Sequence, residues 1–179
     1  RSILAGSACA RRRILLMCPS GRTFTQDMAK ELAAEEQLIV LCGHYEGFDA
    51  RIREHLVDET ISVGDFVLTG GELPAMIVVD AVARMLPGVL GSEESAPTDS
   101  FYEGLLGFPQ YTRPREYEGM ATPEVLLSGD HAKIRAWRRK ESLRLTRKNR
   151  PELLQRAGLT AEDRRFLAEL EAEDGWETH

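Results

Sequence analysis

A parallel α/β domain, a linker and a smaller helical domain form the architecture that this sequence predicts, on three observations. Two short apolar runs, Ile14 to Cys18 and Leu38 to Cys42, flank a stretch with helical periodicity. Glycine, proline and serine then crowd residues 87–104. Beyond them the chain is charged, with helix-capping signals and no strand-like alternation. We place an α/β domain at 1–90, an interdomain linker at 91–104 and a helical domain at 105–179.

Ile14 to Cys18 suits a strand covered on both faces, and Pro19-Ser20-Gly21 is expected to break it. A helix from about Thr23 to Glu36 follows, with Phe24, Met28 and Leu32 on one stripe. Leu38 to Cys42 reads as a second buried strand, which makes a βαβ unit with parallel strands. A short helix is expected near Asp49 to His55, a strand over 57–63, and another short strand at Phe66-Val67-Leu68. Gly70-Gly71 opens a helix from about Glu72 to Leu86, with Pro74 in its first turn, where a missing N–H costs little. Met76, Val79 and Ala83 are its expected buried face. Further on, Asp130 is a candidate cap for a helix over about 131–148, with Pro151 beyond its end. Thr160-Ala161-Glu162-Asp163 resembles a capping box for a last helix that buries Phe166, Leu167 and Leu170.

With 29% charged and 42% apolar residues in 179, the composition is that of a globular chain and not a disordered one. The sequence begins at Arg1, as a processed product or a fragment does. Its basic run Arg11-Arg12-Arg13 follows the weakly apolar opening stretch, the reverse of a secretory signal. No apolar run approaches the roughly 20 residues of a membrane span. Cys9, Cys18 and Cys42 make an odd count without a close pair, which suits a reducing compartment. We therefore expect a cytoplasmic location. His44, His55, His131 and His179 have no metal-ligand spacing, so no structural zinc is expected.

The formal net charge is −6, yet residues 131–150 hold nine Lys or Arg against one acid, Glu141. A dense basic segment in an acidic chain points to a polyanion site. The alternative is a solvated helix face.

In open parallel sheets, ligands bind beyond the carboxyl ends of the strands. Three loops occupy such places: Pro19 to Gly21, Gly43 to Gly47, and Ser62 to Pro74. Their glycines allow close approach of main chain to a small ligand. There is no GxGxxG and no Gly-Lys-Ser/Thr phosphate loop, which disfavours a nucleotide-binding oxidoreductase or a kinase. The residues by themselves reach an α/β domain with an unusual ligand site.

Gly43-His44-Tyr45-Glu46-Gly47, the run from Ser62 through Gly70-Gly71 to Pro74, and Asp80-Ala81-Val82-Ala83-Arg84 closely resemble the bacterial tRNA (guanine-N1)-methyltransferases. So do Pro87 to Gly91, Asp99-Ser100-Phe101, Tyr111-Thr112-Arg113-Pro114 and Arg150 to Leu154. The resemblance runs in order from about Ile14 to the end. It implies a knotted fold of the SPOUT class, with a deep trefoil at the cofactor site, followed by a small all-helical C-terminal domain. It implies S-adenosylmethionine as methyl donor, transfer RNA as substrate, methylation beside the anticodon, and a homodimer whose subunits share each active site. It also suggests Mg²⁺ as an accessory ion.

By the same resemblance, donor contacts fall on Pro19, Gly43, Tyr45, Glu46, Ser62, Val63, Gly64, Phe66, Leu68, Gly70, Gly71 and Pro74. Guanine N1 carries a proton at neutral pH, so its methylation needs a general base. The resemblance assigns that role to Asp99. It assigns Arg84 to stabilising the charge that grows on O6. Lys133, Arg135, Arg138, Arg139, Lys140, Arg144, Arg147, Lys148 and Arg150 are candidate phosphate contacts, and Trp137 is expected to be a core anchor. Gln110 stands where the family more often has His, and Phe66 where Tyr is common. The family also carries an earlier segment, with the first sheet strand and a glycine-rich stretch near the target base, that these residues lack. We expect this chain to bind the donor and to turn over poorly. A catalytically inactive RNA-binding fragment is the alternative; the presence of Asp99 and Arg84 discriminates against it.

Overall fold

The computed structural model describes residues 9–45, 47–91 and 95–177. The chain forms two compact units, 1–96 and 97–179. The division falls inside the stretch expected as linker, and residues 97–104 belong to the second unit.

In the first unit, β1 (Arg12–Thr23) is the middle of a parallel sheet in the order β2-β1-β3, with β2 (Gln37–Leu41) and β3 (Glu59–Ser62) on either side. Pro19-Ser20-Gly21 does not end β1. Both Met17 and Arg22 register against Ile61, so the intervening residues bulge out and the strand pairs again with β3. The bulge is where a proline without an N–H is tolerated. A Cβ on Gly21 would lie 2.5 Å from backbone atoms of Thr60 and Ile61, so only glycine allows this approach. Leu15 and Met17 are buried on one face of the strand, Ile14 and Leu16 on the other. β2 is half-buried along its length, an edge strand and not the fully buried one expected.

Helix α1 (Gln26–Ala33) is shorter than expected because its ends are otherwise engaged. Phe24 N–H donates to Ser62 O (2.7 Å), and Thr25 Oγ1 caps the helix by accepting from Met28 N (3.3 Å). At the other end, the N–H groups of Glu36 and Gln37 donate to Arg11 O and lead into β2. Met28, Ala29 and Leu32 pack with Leu15, Met17 and Ile61. The short α2 (Ala50–His55) starts at Asp49, whose carboxylate accepts from Arg51 N (2.9 Å).

Helix α3 (Glu72–Ala83) closes this core with Pro74, Val78 and Val82. This corrects the expected face. Met76 and Val79 are exposed, with Leu73 and Ile77, and Ala83 is half-buried. The helix is apolar on nearly all sides, so periodicity alone cannot select the face that meets the sheet. Phe66-Val67-Leu68 is not a strand; Phe66 ends a run of bends, Val67 and Leu68 are irregular, and all three side chains are exposed. No helix among the described residues is long and apolar enough to cross a membrane.

The short α4 (Ser95–Thr98) stands at the division between the units. The second unit is not all-helical among its described residues. A hairpin of β4 (Glu116–Tyr117) and β5 (Met120–Ala121) turns through Glu118 and Gly119, both at positive φ. Helices α5 (Glu124–Leu127), α6 (His131–Asn149), α7 (Pro151–Leu154) and α8 (Ala161–Glu177) follow. Asp130 caps α6 by accepting from the N–H groups of Ala132 and Lys133 (both 3.1 Å). Pro151 lies beyond the end of α6, as expected, and opens α7. Thr160 Oγ1 accepts from Asp163 N (3.1 Å) while Thr160 N donates to the Asp163 carboxylate (2.8 Å), a reciprocal capping box with Asp in the usual Glu place. Leu105, Leu143, Phe166 and Leu170 form the core, with Leu167 packed against it. Trp137 is half-buried beside Tyr111 (ring centroids 6.2 Å apart), outside that core.

Candidate functional site

Leu16 to Pro19 of β1, the carboxyl end of β3 and the loops after β2 and β3 enclose one cleft of about 230 Å³. Two close approaches shape it. Gly71 N–H donates to Gly43 O (3.0 Å), and a Cβ on Gly71 would lie 2.6 Å from Cys42 Cα. His44 bridges Gly70 in an isolated antiparallel pair, and its ring nitrogen is 2.6 Å from the Glu72 carboxylate. That carboxylate is held below the usual range, first by its own backbone N–H at the start of α3 and then by His44. Gly64, at φ +148°, turns the chain after β3, and Ser62 Oγ fixes the turn by accepting from Gly64 N (3.2 Å).

Eleven of the twelve residues expected at the donor line this cleft: Pro19, Gly43, Tyr45, Ser62, Val63, Gly64, Phe66, Leu68, Gly70, Gly71 and Pro74. The twelfth, Glu46, lies outside the described residues. Leu16, Met17, Cys18, Gly47, Phe48, Arg53, Val67 and Thr69 also line it. For most of these a signal existed, since they adjoin the expected loops. Arg53 had none. It comes from α2, whose contribution depends on tertiary placement.

Cys18 is half-buried in the cleft wall. Burial pushes its thiol up, but the Ser20 hydroxyl and N–H and the Arg53 guanidinium outweigh this and bring it below its ordinary value. Cys42 is pushed up by burial and by Glu72.

Arg84 and Asp99 do not line the cleft. Arg84 is the half-buried C-cap of α3 in the first unit, its N–H donating to Asp80 O (3.1 Å). Asp99 is exposed in the second unit, and its carbonyl accepts from Tyr102 N (3.4 Å). Among the described residues, no group of three or more His, Cys, Asp or Glu could hold a metal ion.

The candidate RNA contacts on α6 fall into two sets. Arg139 is committed internally: it donates through Nε and Nη2 to Asp163 (3.2 and 2.9 Å), and its Nη1 reaches Glu103 (3.4 Å). Burial pushes the Asp163 carboxyl up, but Arg139 and the Thr160 N–H hold it below the usual range. Lys133 pairs with Asp130 (3.2 Å), Arg144 with Glu141 and Arg150 with Glu152. Lys140 and Arg144 lie over the Phe166 ring, and Arg150 over Phe101. Arg135 and Lys148 are exposed, and Arg147 is half-buried.

The second unit also holds a cleft of about 630 Å³ that the sequence did not reveal. Phe108, Tyr111, Arg113, Arg115 and Arg138 are among its walls, and no Asp or Glu is. The Arg138 guanidinium lies 4.7 Å from the centre of the Phe108 ring.

Comparison with known proteins converges on one family. A tRNA (guanine-N(1)-)-methyltransferase of Moorella thermoacetica is 57% identical over 176 residues, covering 98% of this chain and 70% of the relative. One from Desulforamulus reducens is 61% identical over 159 residues, 89% of this chain and 63% of the relative. One from Bacillus subtilis is 58% identical over 170 residues, 95% of this chain and 70% of the relative. The chain thus spans about two thirds of the length of these relatives. Residues 3–156 match the family described as tRNA (guanine-1)-methyltransferase TrmD, and on that match and these identities the chain belongs to that family.

Proposed function

We propose that this chain carries the donor site of an enzyme that methylates guanine N1 beside the anticodon of transfer RNA. Family membership supports the reaction, and the carrying observation is the cleft of the first unit. Its residues suit S-adenosylmethionine. Gly43, Gly64, Gly70 and Gly71 present main chain that can read an adenine edge, while Val63, Leu68 and Pro74 offer apolar walls. S-adenosylmethionine, when bound, supplies an electrophilic methyl group on a sulfonium. The chain's own residues hold its adenosine end against backbone and keep bulk water from one side. Such positioning of two substrates is where much of the acceleration arises.

In this reading Asp99 removes the proton from guanine N1, and Arg84 stabilises the charge developing on O6. Both residues act across a homodimer, one from each subunit. The exposed apolar side chains Leu73, Met76, Ile77 and Val79 on α3 support a second copy there. The close approach of Gly71 to Cys42 and Gly43 supports the knotted SPOUT topology. Division into donor domain, linker and RNA-binding domain is proposed with it. The second unit grips RNA phosphates through the exposed cations of α6 and the acid-free cleft at Arg113 and Arg115. The target base leaves its stack to reach the donor.

The test is methyl incorporation into transcript tRNA, read as a reverse-transcription stop, since a methyl on N1 blocks base pairing. We expect a stop at the guanine beside the anticodon. Asp99→Ala should lower incorporation at least about a hundredfold while leaving S-adenosylhomocysteine affinity within about twofold. Equal incorporation by the variant would remove Asp99 as the base.

A further inference from the structure

Among the described residues that line the cleft of the first unit, Arg53 is the one that carries a charge. It lies in the last turn of α2, exposed, with Nη2 3.8 Å from Cys18 Sγ, which also lines the cleft. No described Asp or Glu forms an ion pair with it. Nothing in the sequence motifs points to it, and the proposed chemistry does not use it.

Among the described lining residues a single guanidinium stands beside neutral groups, and it favours one kind of ligand group, an anion. S-adenosylmethionine carries three charged groups: a sulfonium, an ammonium and a carboxylate. Arg53 attracts only the third and repels the other two. That asymmetry orients the ligand, with the carboxylate toward α2 and the sulfonium away from it. A planar guanidinium also matches a carboxylate in a two-bond fork. The Cys18 thiol supplies an internal gauge, because Arg53 is one of the groups that favour its anionic form against the effect of burial.

We propose that Arg53 is an anion subsite of the donor cleft that binds the α-carboxylate of S-adenosylmethionine and so selects ligands with an intact amino-acid tail. This rests on the reading of the cleft as the donor site.

Two ligands and two variants separate the possibilities. S-adenosylhomocysteine has the carboxylate; its decarboxylated analogue keeps the adenosine, thioether and amine but lacks it. Calorimetric titration of the full chain should give tighter binding of the first. Arg53→Gln should weaken S-adenosylhomocysteine by roughly fivefold to thirtyfold, the range of a partly screened charge-assisted pair. Binding of the decarboxylated analogue should change by less than about twofold, which also shows that the variant is folded. Arg53→Lys should fall between, having charge without the fork. Added salt should shrink the wild-type preference for the carboxylate. If Arg53→Gln weakens both ligands alike, Arg53 merely supports α2, and the subsite is overturned. If it weakens neither, the subsite is overturned as well. A wild-type chain that binds neither ligand removes the donor site itself, and the subsite with it.

Discussion

Asp163 ties two devices of the second unit together: it closes the capping box of α8 and receives both nitrogens of Arg139 from α6. Its side chain is 5% exposed, so removing it leaves a half-buried guanidinium with the longer contact to Glu103 in place of its main partner. Asp163→Ala should destabilise the unit by about 2–4 kcal/mol, from the cap and the broken pair together. Because its carboxyl is held below the ordinary value when folded, the stabilisation is present above the unfolded value, roughly pH 4, and is lost as pH falls through the folded one. Denaturation followed between pH 7 and pH 2 should show wild type and Asp163→Asn converging at the acid end; parallel curves would contradict this. The capping box was legible because its spacing is local. Arg53 and the close approach of Gly71 to Cys42 were not legible, because each depends on segments far apart in sequence.

Among the elements, those with local instructions were readable and those set by neighbours were not. The stripe of α1 and the Asp130 cap of α6 follow from spacing of apolar and capping residues. The bulge of β1 does not, since Pro19 and Gly21 read equally as an ending and as a detour; backbone pairing with Ile61 decides. The buried face of α3 is ambiguous because its apolar residues surround it. The nine cations of α6 and its C-cap Arg150 read as one patch, but the fold divides them by what lies opposite. This has a measurable consequence for RNA affinity. Replacing Arg135 and Lys148 by Ala, or Arg113 and Arg115, should each reduce the slope of log affinity against log salt by about 1 to 2, near 0.9 per lost phosphate contact. Arg139→Lys should leave that slope unchanged, because its guanidinium is turned to Asp163. Filter binding of tRNA over a salt series checks this, and a loss of slope for Arg139→Lys alone would contradict the division.

At the scale of the molecule, the two units present two different chemical surfaces. The cleft of the first presents main chain and apolar walls with Arg53 at one side, which suits the proposed binding of a small zwitterion. The second presents exposed guanidinium and ammonium groups, which suit the proposed grip on a phosphate backbone. The basic segment, the shift of composition near 87–104 and the three loops at strand ends were legible from the residues, whereas the closing of those loops around one cleft depends on tertiary placement. The central claim is that these loops hold the methyl donor. Hydrogen–deuterium exchange of the full chain, with and without S-adenosylhomocysteine, tests it most directly. Slowed exchange should concentrate in residues 43–45 and 62–71, with 161–173 unchanged. Slowing that spares the loops, or appears only in the second unit, would contradict the account.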